Sequence, residues 1–298
     1  MIQLAFAFLA LSAFNSTAVA DAAAARVANV SVCMPDTSVS TEIYCMRGQF
    51  TQGGLIVGRT RPGSKVSLDA APLMLDDKGE FVFGFDRGAT ASAMLKIDLP
   101  DGSEKSVPLT IETRQWNIQR IDGLPEMQVT PPPEALERIR REGVLKAAAR
   151  KPDTEGSWFA ENFIWPASGP ITGVYGSQRI LNGEPRNPHY GLDIGAPEGA
   201  PIVAPAGGIV TLAEPDLYFE GGIVFIDHGH GLISYLMHMS KVEAKVGQEV
   251  KQGDEIGLVG RTGRATAPHV HWGMFWLKAH IDPQLLVPPL PPVEGTKP

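Results

Sequence analysis

The chain has 298 residues, with 26 Lys plus Arg against 33 Asp plus Glu, so its formal net charge is −7. That acidity, with no basic run, argues against a nucleic-acid partner, because phosphate contacts need clustered Lys and Arg. Hydrophobic residues at 43% and charged residues at 20% exclude a disordered or collagen-like chain, while 32 Gly and 25 Pro favour short strands joined by turns over a helical bundle.

Residues 1–20 carry no charged side chain, hold an apolar run over 4–14 and end in Ala18-Val19-Ala20 before Asp21. This pattern reads as a secretory signal, although its leading segment lacks a basic residue, the alternatives being a displaced start or a stretch kept as a membrane anchor. The run is short of the roughly 20 apolar residues a spanning helix needs, so no stable membrane span is expected after cleavage. Cys33 and Cys45 lie close together and far from every histidine. In an exported chain this suits one local disulfide, two free thiols being the alternative.

Strand-like runs follow at 55–57, 66–68, 81–85 and 94–97, separated by turn signals at 61–63, 76–79 and 100–102. They predict a small β-sandwich module within 21–115. No catalytic spacing occurs there, and the module reads as a binding or spacer unit. Residues 116–160 read as a linker. After Pro131-Pro132-Pro133, residues 134–150 are rich in helix formers, with acid near the start, base near the end and a thin apolar stripe of Leu136, Ile139 and Leu145. Arg138, Arg140 and Arg141 read as a solvated face.

From 161 to 287 strands return, at 201–210, 222–227, 232–237, 255–260 and 270–275, and predict a compact antiparallel β domain followed by a Pro-rich tail over 288–298. This domain holds the histidines. His189 and Asp193 are four residues apart, which in an extended segment puts both on one face with Tyr190, Leu192 and Ile194 opposite. His269-Val270-His271 likewise projects two imidazoles from one face of a strand, with Val270 and Trp272 opposite. Two histidine nitrogens and one aspartate oxygen, leaving a position for water, form a catalytic zinc pattern, and imidazole suits zinc better than calcium or magnesium. His228-Gly229-His230 is a competing pair but sits between two apolar runs and reads as a hairpin turn. His280 reads as surface or packing. No His-Glu-Xaa-Xaa-His, Gly-Xaa-Ser-Xaa-Gly or Walker-type loop competes.

An ordered series of motifs carries a family resemblance. They are His189-Xaa-Gly191-Xaa-Asp193, Val203-Ala204-Pro205 with Gly208-Ile209-Val210, Asp227-His228-Gly229-His230-Gly231, His238 in residues 235–240, residues 246–253, and Gly260-Arg261-Thr262-Gly263 before His269-Val270-His271. With these, residues 165–287 resemble peptidase family M23, the lysostaphin-like or LytM-type zinc peptidases. The resemblance implies an antiparallel β barrel-sandwich hybrid, in a mainly β chain whose amino-terminal sandwich and linker helix resemble those of exported bacterial members. It implies that His189, Asp193 and His271 bind Zn2+ and that His238 and His269 are catalytic. The family's Tyr-Xaa-His spacing is tighter than Tyr235 to His238. The implied activity is zinc-dependent peptidoglycan endopeptidase action on peptide cross-links, in the periplasm or otherwise exported, with peptide stems as substrate and a cell-wall amidase or divisome protein as a further partner. The alternative is a non-hydrolytic LytM-type scaffold that activates amidases, although such degenerate members lose ligands and this chain keeps every position. Residues 206–210 and 246–253 also resemble biotinyl or lipoyl carrier barrels, but Lys241, the nearest lysine, lacks the Met-Lys-Met context.

Overall fold

The computed structural model describes residues 43–121, 132–151 and 154–290. The signal-like segment 1–20, Cys33 and residues 291–298 of the tail lie outside the described residues. In the amino-terminal part, β1 (Tyr44–Gly48), β2 (Leu55–Thr60) and β5 (Glu80–Gly84) form one antiparallel sheet. β3 (Lys65–Leu68), β4 (Ala71–Pro72), β6 (Ser92–Asp98) and β7 (Glu104–Thr110) form a second. Alternate side chains of a strand share a face, so Ile56, Phe81, Phe83, Val66, Leu95 and Ile97 meet between the sheets and leave the polar residues outside. Cys45, opposite Arg59 in the β1–β2 ladder, is disulfide-bonded.

After β8 (Ile118–Ile121) the chain reaches its one α-helix among the described residues, α1 (Pro133–Ala149). Pro133 suits the first helical position, and Glu134 and Lys146 complement the helix dipole at the two ends. The face that docks is not the apolar stripe read from the sequence. Leu136 is 53% and Leu145 40% exposed, whereas the buried residues are Ala135 and Glu142. Glu142 accepts from the Tyr218 N–H at 2.9 Å and from Arg138 Nε at 2.6 Å. Arg138, expected on a solvated face, also donates to the Asp216 carbonyl at 2.8 Å, and Lys146 pairs with Glu220. A buried carboxylate stripped of its partners' complement is costly, and so is a donor left behind. Glu142→Ala is therefore expected to lower unfolding stability by about 1.5–3 kcal/mol, against no more than about 0.5 kcal/mol for the exposed Leu136→Ala. Urea denaturation of the two variants measures the contrast.

The carboxy-terminal part is built on one large open sheet. Its members are β9 (Ile171–Gly173), β12 (Leu192–Gly195), β14 (Gly208–Leu217), β15 (Gly221–Asp227), β16 (Leu232–Met239), β18 (Glu249–Val250) and β20 (His269–Trp276), with β21 (Ala279–Ile281) beside β20. Across the sheet the order is β18-β14-β15-β16-β20-β12-β9. A smaller sheet of β13 (Pro201–Val203), β17 (Lys241–Val242) and β19 (Glu255–Leu258) lies alongside, and no closed barrel forms among the described residues. Ile194, Val224, Leu236, Val270 and Trp272 point into the main core from one face of the large sheet. Phe225, Ile233, Tyr235 and Phe275 form a second cluster on the other face. Burial on both faces explains why β15 and β16 read as nearly continuous apolar runs.

The pairing is not wholly antiparallel. β10 (Gln178–Leu181) forms a hairpin with β11 (Glu184–Pro185) and pairs in parallel with β8, tying the segment before His189 to the end of the amino-terminal part.

Candidate metal centre

Strand pairing places the central residues of the site. Asp193 of β12 lies opposite His271 of β20, which in turn lies opposite Met237 of β16. Because Val270 and Trp272 are drawn into the core, His271 is turned to the other face, on the side of Asp193. His189 is in the irregular segment before β12 and not in an extended strand, so the alternation argument does not place it. Its position comes instead from three hydrogen bonds. Its N–H donates to the Ser177 carbonyl at 2.7 Å, its carbonyl accepts from Gly176 at 2.8 Å, and its ring Nδ1 donates to the Val174 carbonyl at 3.0 Å. With Nδ1 occupied, Nε2 is the atom presented to the site.

The outcome is a close triad. His189 Nε2 is 3.1 Å from Asp193 Oδ1 and 2.9 Å from His271 Nδ1, which is itself 2.9 Å from the same Asp193 oxygen. These three atoms form the one group of potential metal-ligating atoms found among the described residues. Ligands about 2.0–2.1 Å from a tetrahedral ion are themselves about 3.3 Å apart, so the triad is close to the spacing a small cation requires. Two imidazole nitrogens directed at one carboxylate oxygen also form a donor set that fits zinc. Burial opposes the charge on Asp193, but hydrogen bonds from His189 and His271 outweigh it and hold the carboxyl far below the usual range. Burial pushes the His271 imidazole down. At His189 burial acts in the same sense, but its bond to the Asp193 charge outweighs it and the net direction is up. A charged carboxylate between two imidazoles, one of them disfavouring protonation, is a donor set that suits a divalent cation.

Two glycines keep the space open. A Cβ on Gly191 would lie 2.4 Å from His271 Nε2, and one on Gly173 would lie 2.2 Å from Asp193 Oδ2. Tyr235 stacks near the His271 ring, with centroids 5.8 Å apart, and donates its hydroxyl to the Tyr190 carbonyl.

The rings of His238 and His269 sit beside the triad, with centroids 4.8 Å apart, and that of His238 is 6.4 Å from His271. Strict alternation would send His238 into the core with Leu236. The β15–β16 ladder instead slips between Gly222 and Ile223, and His238 has φ 68°, a left-handed conformation that histidine tolerates better than most residues. This bulge absorbs the extra residue between Tyr235 and His238 and turns the imidazole toward the triad. His238 Nδ1 donates to the Thr262 carbonyl at 2.9 Å and His269 Nδ1 to the Ala267 carbonyl at 2.8 Å, leaving each Nε2 free. His269 Nε2 is 3.8 Å from Asp193 Oδ1. Burial pushes the His238 imidazole down to about 4, so it is neutral at ordinary pH.

The remaining histidines lie elsewhere. His228 is buried in the β15–β16 hairpin with both ring nitrogens engaged, Nδ1 with the Gly207 carbonyl at 2.6 Å and Nε2 with Ser234 Oγ at 2.8 Å. His230 packs against Phe159 at 4.6 Å, and His280 stacks on Tyr190 at 3.7 Å. The sequence reading missed the carbonyls of Val174, Thr262 and Ala267, which orient the site's imidazoles. Every residue type supplies such a group, so no residue pattern marks them.

Residues 187–283 match Peptidase family M23. The chain is 32% identical over 169 residues to the cell division protein DipM of Caulobacter vibrioides, and 40% identical over 85 residues to the peptidoglycan DD-endopeptidase ShyA of Vibrio cholerae. These alignments take in 54% and 28% of this chain but only 26% and 20% of those relatives, so the chain spans about a quarter or less of their length. A crystal structure of an M23 peptidase from Pseudomonas aeruginosa superposes on 80% of this chain and 94% of its own, with a TM-score of 0.60 and 29% identity. All five residues of the triad and its flanking imidazoles fall inside residues 187–283, the region that matches peptidase family M23.

Proposed function

We propose that the protein is a zinc-dependent peptidoglycan endopeptidase that hydrolyses peptide cross-links of the cell wall. The observation that carries this reading is the convergence of His189 Nε2, Asp193 Oδ1 and His271 Nδ1 beside two further imidazoles whose Nδ1 atoms are committed to carbonyls. His189, Asp193 and His271 would hold Zn2+, and when bound there the ion supplies Lewis-acid polarisation of the scissile carbonyl and lowers the pKa of water to about 7. Asp193 contributes the one negative charge, so the assembled centre stays cationic. His238, neutral down to about pH 4, keeps a lone pair on Nε2 to accept the proton of the attacking water. His269 in its imidazolium form, with Nδ1–H on the Ala267 carbonyl and Nε2–H beside Asp193, can steady the carbonyl oxygen as charge builds on it and give the Nε2 proton to the departing amine.

The substrate class is supported by the relatives named peptidoglycan DD-endopeptidases that align over this region. Export to the periplasm is supported by the signal-like residues 1–20 and by the disulfide-bonded Cys45. No helix among the described residues is long and apolar enough to cross a membrane. A division-linked partner is supported by the name of the Caulobacter relative. Digestion of purified sacculi, followed by liquid chromatography and mass spectrometry of the muropeptides, is expected to convert cross-linked dimers to monomers in a chelator-sensitive way. Zinc-loaded protein that leaves every cross-linked species intact would favour the non-hydrolytic scaffold instead.

A further inference from the structure

The amino-terminal part reaches the ligand His189 through a short relay that starts outside the matched family region. Segment 174–178 makes all three of the hydrogen bonds that fix His189, through the Val174 carbonyl, the Gly176 N–H and the Ser177 carbonyl. That segment is gripped from the other side. Arg87 Nε donates to the Gly176 carbonyl at 2.9 Å and its terminal nitrogen to Gln178 Oε1 at 3.4 Å. The Gln178 N–H donates to the Asn117 carbonyl at 2.9 Å, at the start of the parallel β8–β10 pairing. Trp116 lies against Gly176, which has φ 80°, so closely that a Cβ there would fall 2.1 Å from the indole. The guanidinium carbons of Arg87 and Arg114 lie 5.0 and 4.6 Å from the Trp116 ring centroid, and Arg114 is anchored on the buried Asp282 at 2.8 Å. Cation–π contacts of this kind hold an aromatic side chain in one orientation.

We propose that Trp116 and Arg87 are positioning residues for the metal ligand His189, so that the amino-terminal part supports the metal centre and is not merely a spacer. This rests on the metal site proposed above. Groups that orient a ligating imidazole typically change metal affinity by about 10–100-fold when lost. Here the Val174 carbonyl is such a group, and Trp116 and Arg87 fix where it stands.

The test is the zinc affinity of the full chain, measured by competition with a chromophoric chelator, with the melting temperature of the metal-free protein recorded alongside. Trp116→Ala and Arg87→Ala are expected to bind zinc about 10–100-fold more weakly. Trp116→Phe, which keeps a ring on Gly176, should recover most of the affinity. Arg61→Ala, which removes an exposed ion pair with Asp101 in the same part of the chain, should bind as wild type does. If Trp116→Ala does not fold, Arg87→Ala decides the matter. Wild-type affinity in the Trp116 and Arg87 alanine variants, whatever their melting temperatures, would overturn the positioning role and leave the metal site standing. An equal loss in Arg61→Ala would also overturn it, by assigning the effect to general destabilisation. A wild-type chain that binds no zinc would overturn both readings.

Discussion

Asp193→Ala is expected to leave a folded protein with zinc content near background and no measurable cross-link hydrolysis. Its Oδ1 is the atom on which both triad nitrogens converge, at 3.1 Å for His189 and 2.9 Å for His271. It is also the only anionic member of the triad. Loss of an outer group that merely orients a ligand costs about 10–100-fold in affinity, so loss of the anionic ligand itself should exceed that. His189→Ala and His271→Ala should behave in the same way. Elemental analysis by mass spectrometry, with circular dichroism as the check on folding, measures the effect. Normal zinc in any of the three variants would remove that residue from the ligand set.

His238→Ala and His269→Ala should separate metal content from rate. Neither imidazole belongs to the triad, so zinc should stay near one per chain, while turnover of cross-linked muropeptides should fall by about 10²–10⁴-fold, the range for losing a positioned acid or base. The left-handed His238 makes its variant informative in a second way, since alanine at φ 68° is strained and the bulge has reason to relax. His238→Asn tolerates that conformation better and shows whether the loss comes from the imidazole or from the backbone. If His269→Ala lost zinc and His271→Ala kept it, the two roles within His269-Val270-His271 would be exchanged.

The strands were legible where one face is buried and side chains alternate. Val270 and Trp272 go to the core, which turns His269 and His271 the other way, and the same argument places Asp193 against Leu192 and Ile194. It does not extend to His189, whose irregular segment is held by carbonyls of residues 12 to 15 positions earlier. Nor does it reach His238, which alternation alone would point to the Leu236 side of the sheet, away from the triad. The one trace in the sequence is the extra residue after Tyr235, and the ladder slip at Gly222 resolves it. The helix fared worse for a different reason. Period counting looks for apolar residues, but α1 docks through Glu142, Arg138 and Lys146 onto the hairpin between β14 and β15, whose free Tyr218 N–H and Asp216 carbonyl are invisible in the helix's own sequence. The parallel β8–β10 pairing was equally hidden, because Ile118–Ile121 is four residues long and mostly exposed.

X-ray diffraction from crystals grown with zinc, recorded on both sides of the zinc absorption edge, locates a bound ion directly. The expected anomalous map has one dominant peak about 2.0–2.1 Å from His189 Nε2, Asp193 Oδ1 and His271 Nδ1, with His238 and His269 outside bonding distance. A dominant peak on His228 and His230, or a triad without a peak in fully zinc-loaded protein, would contradict the account.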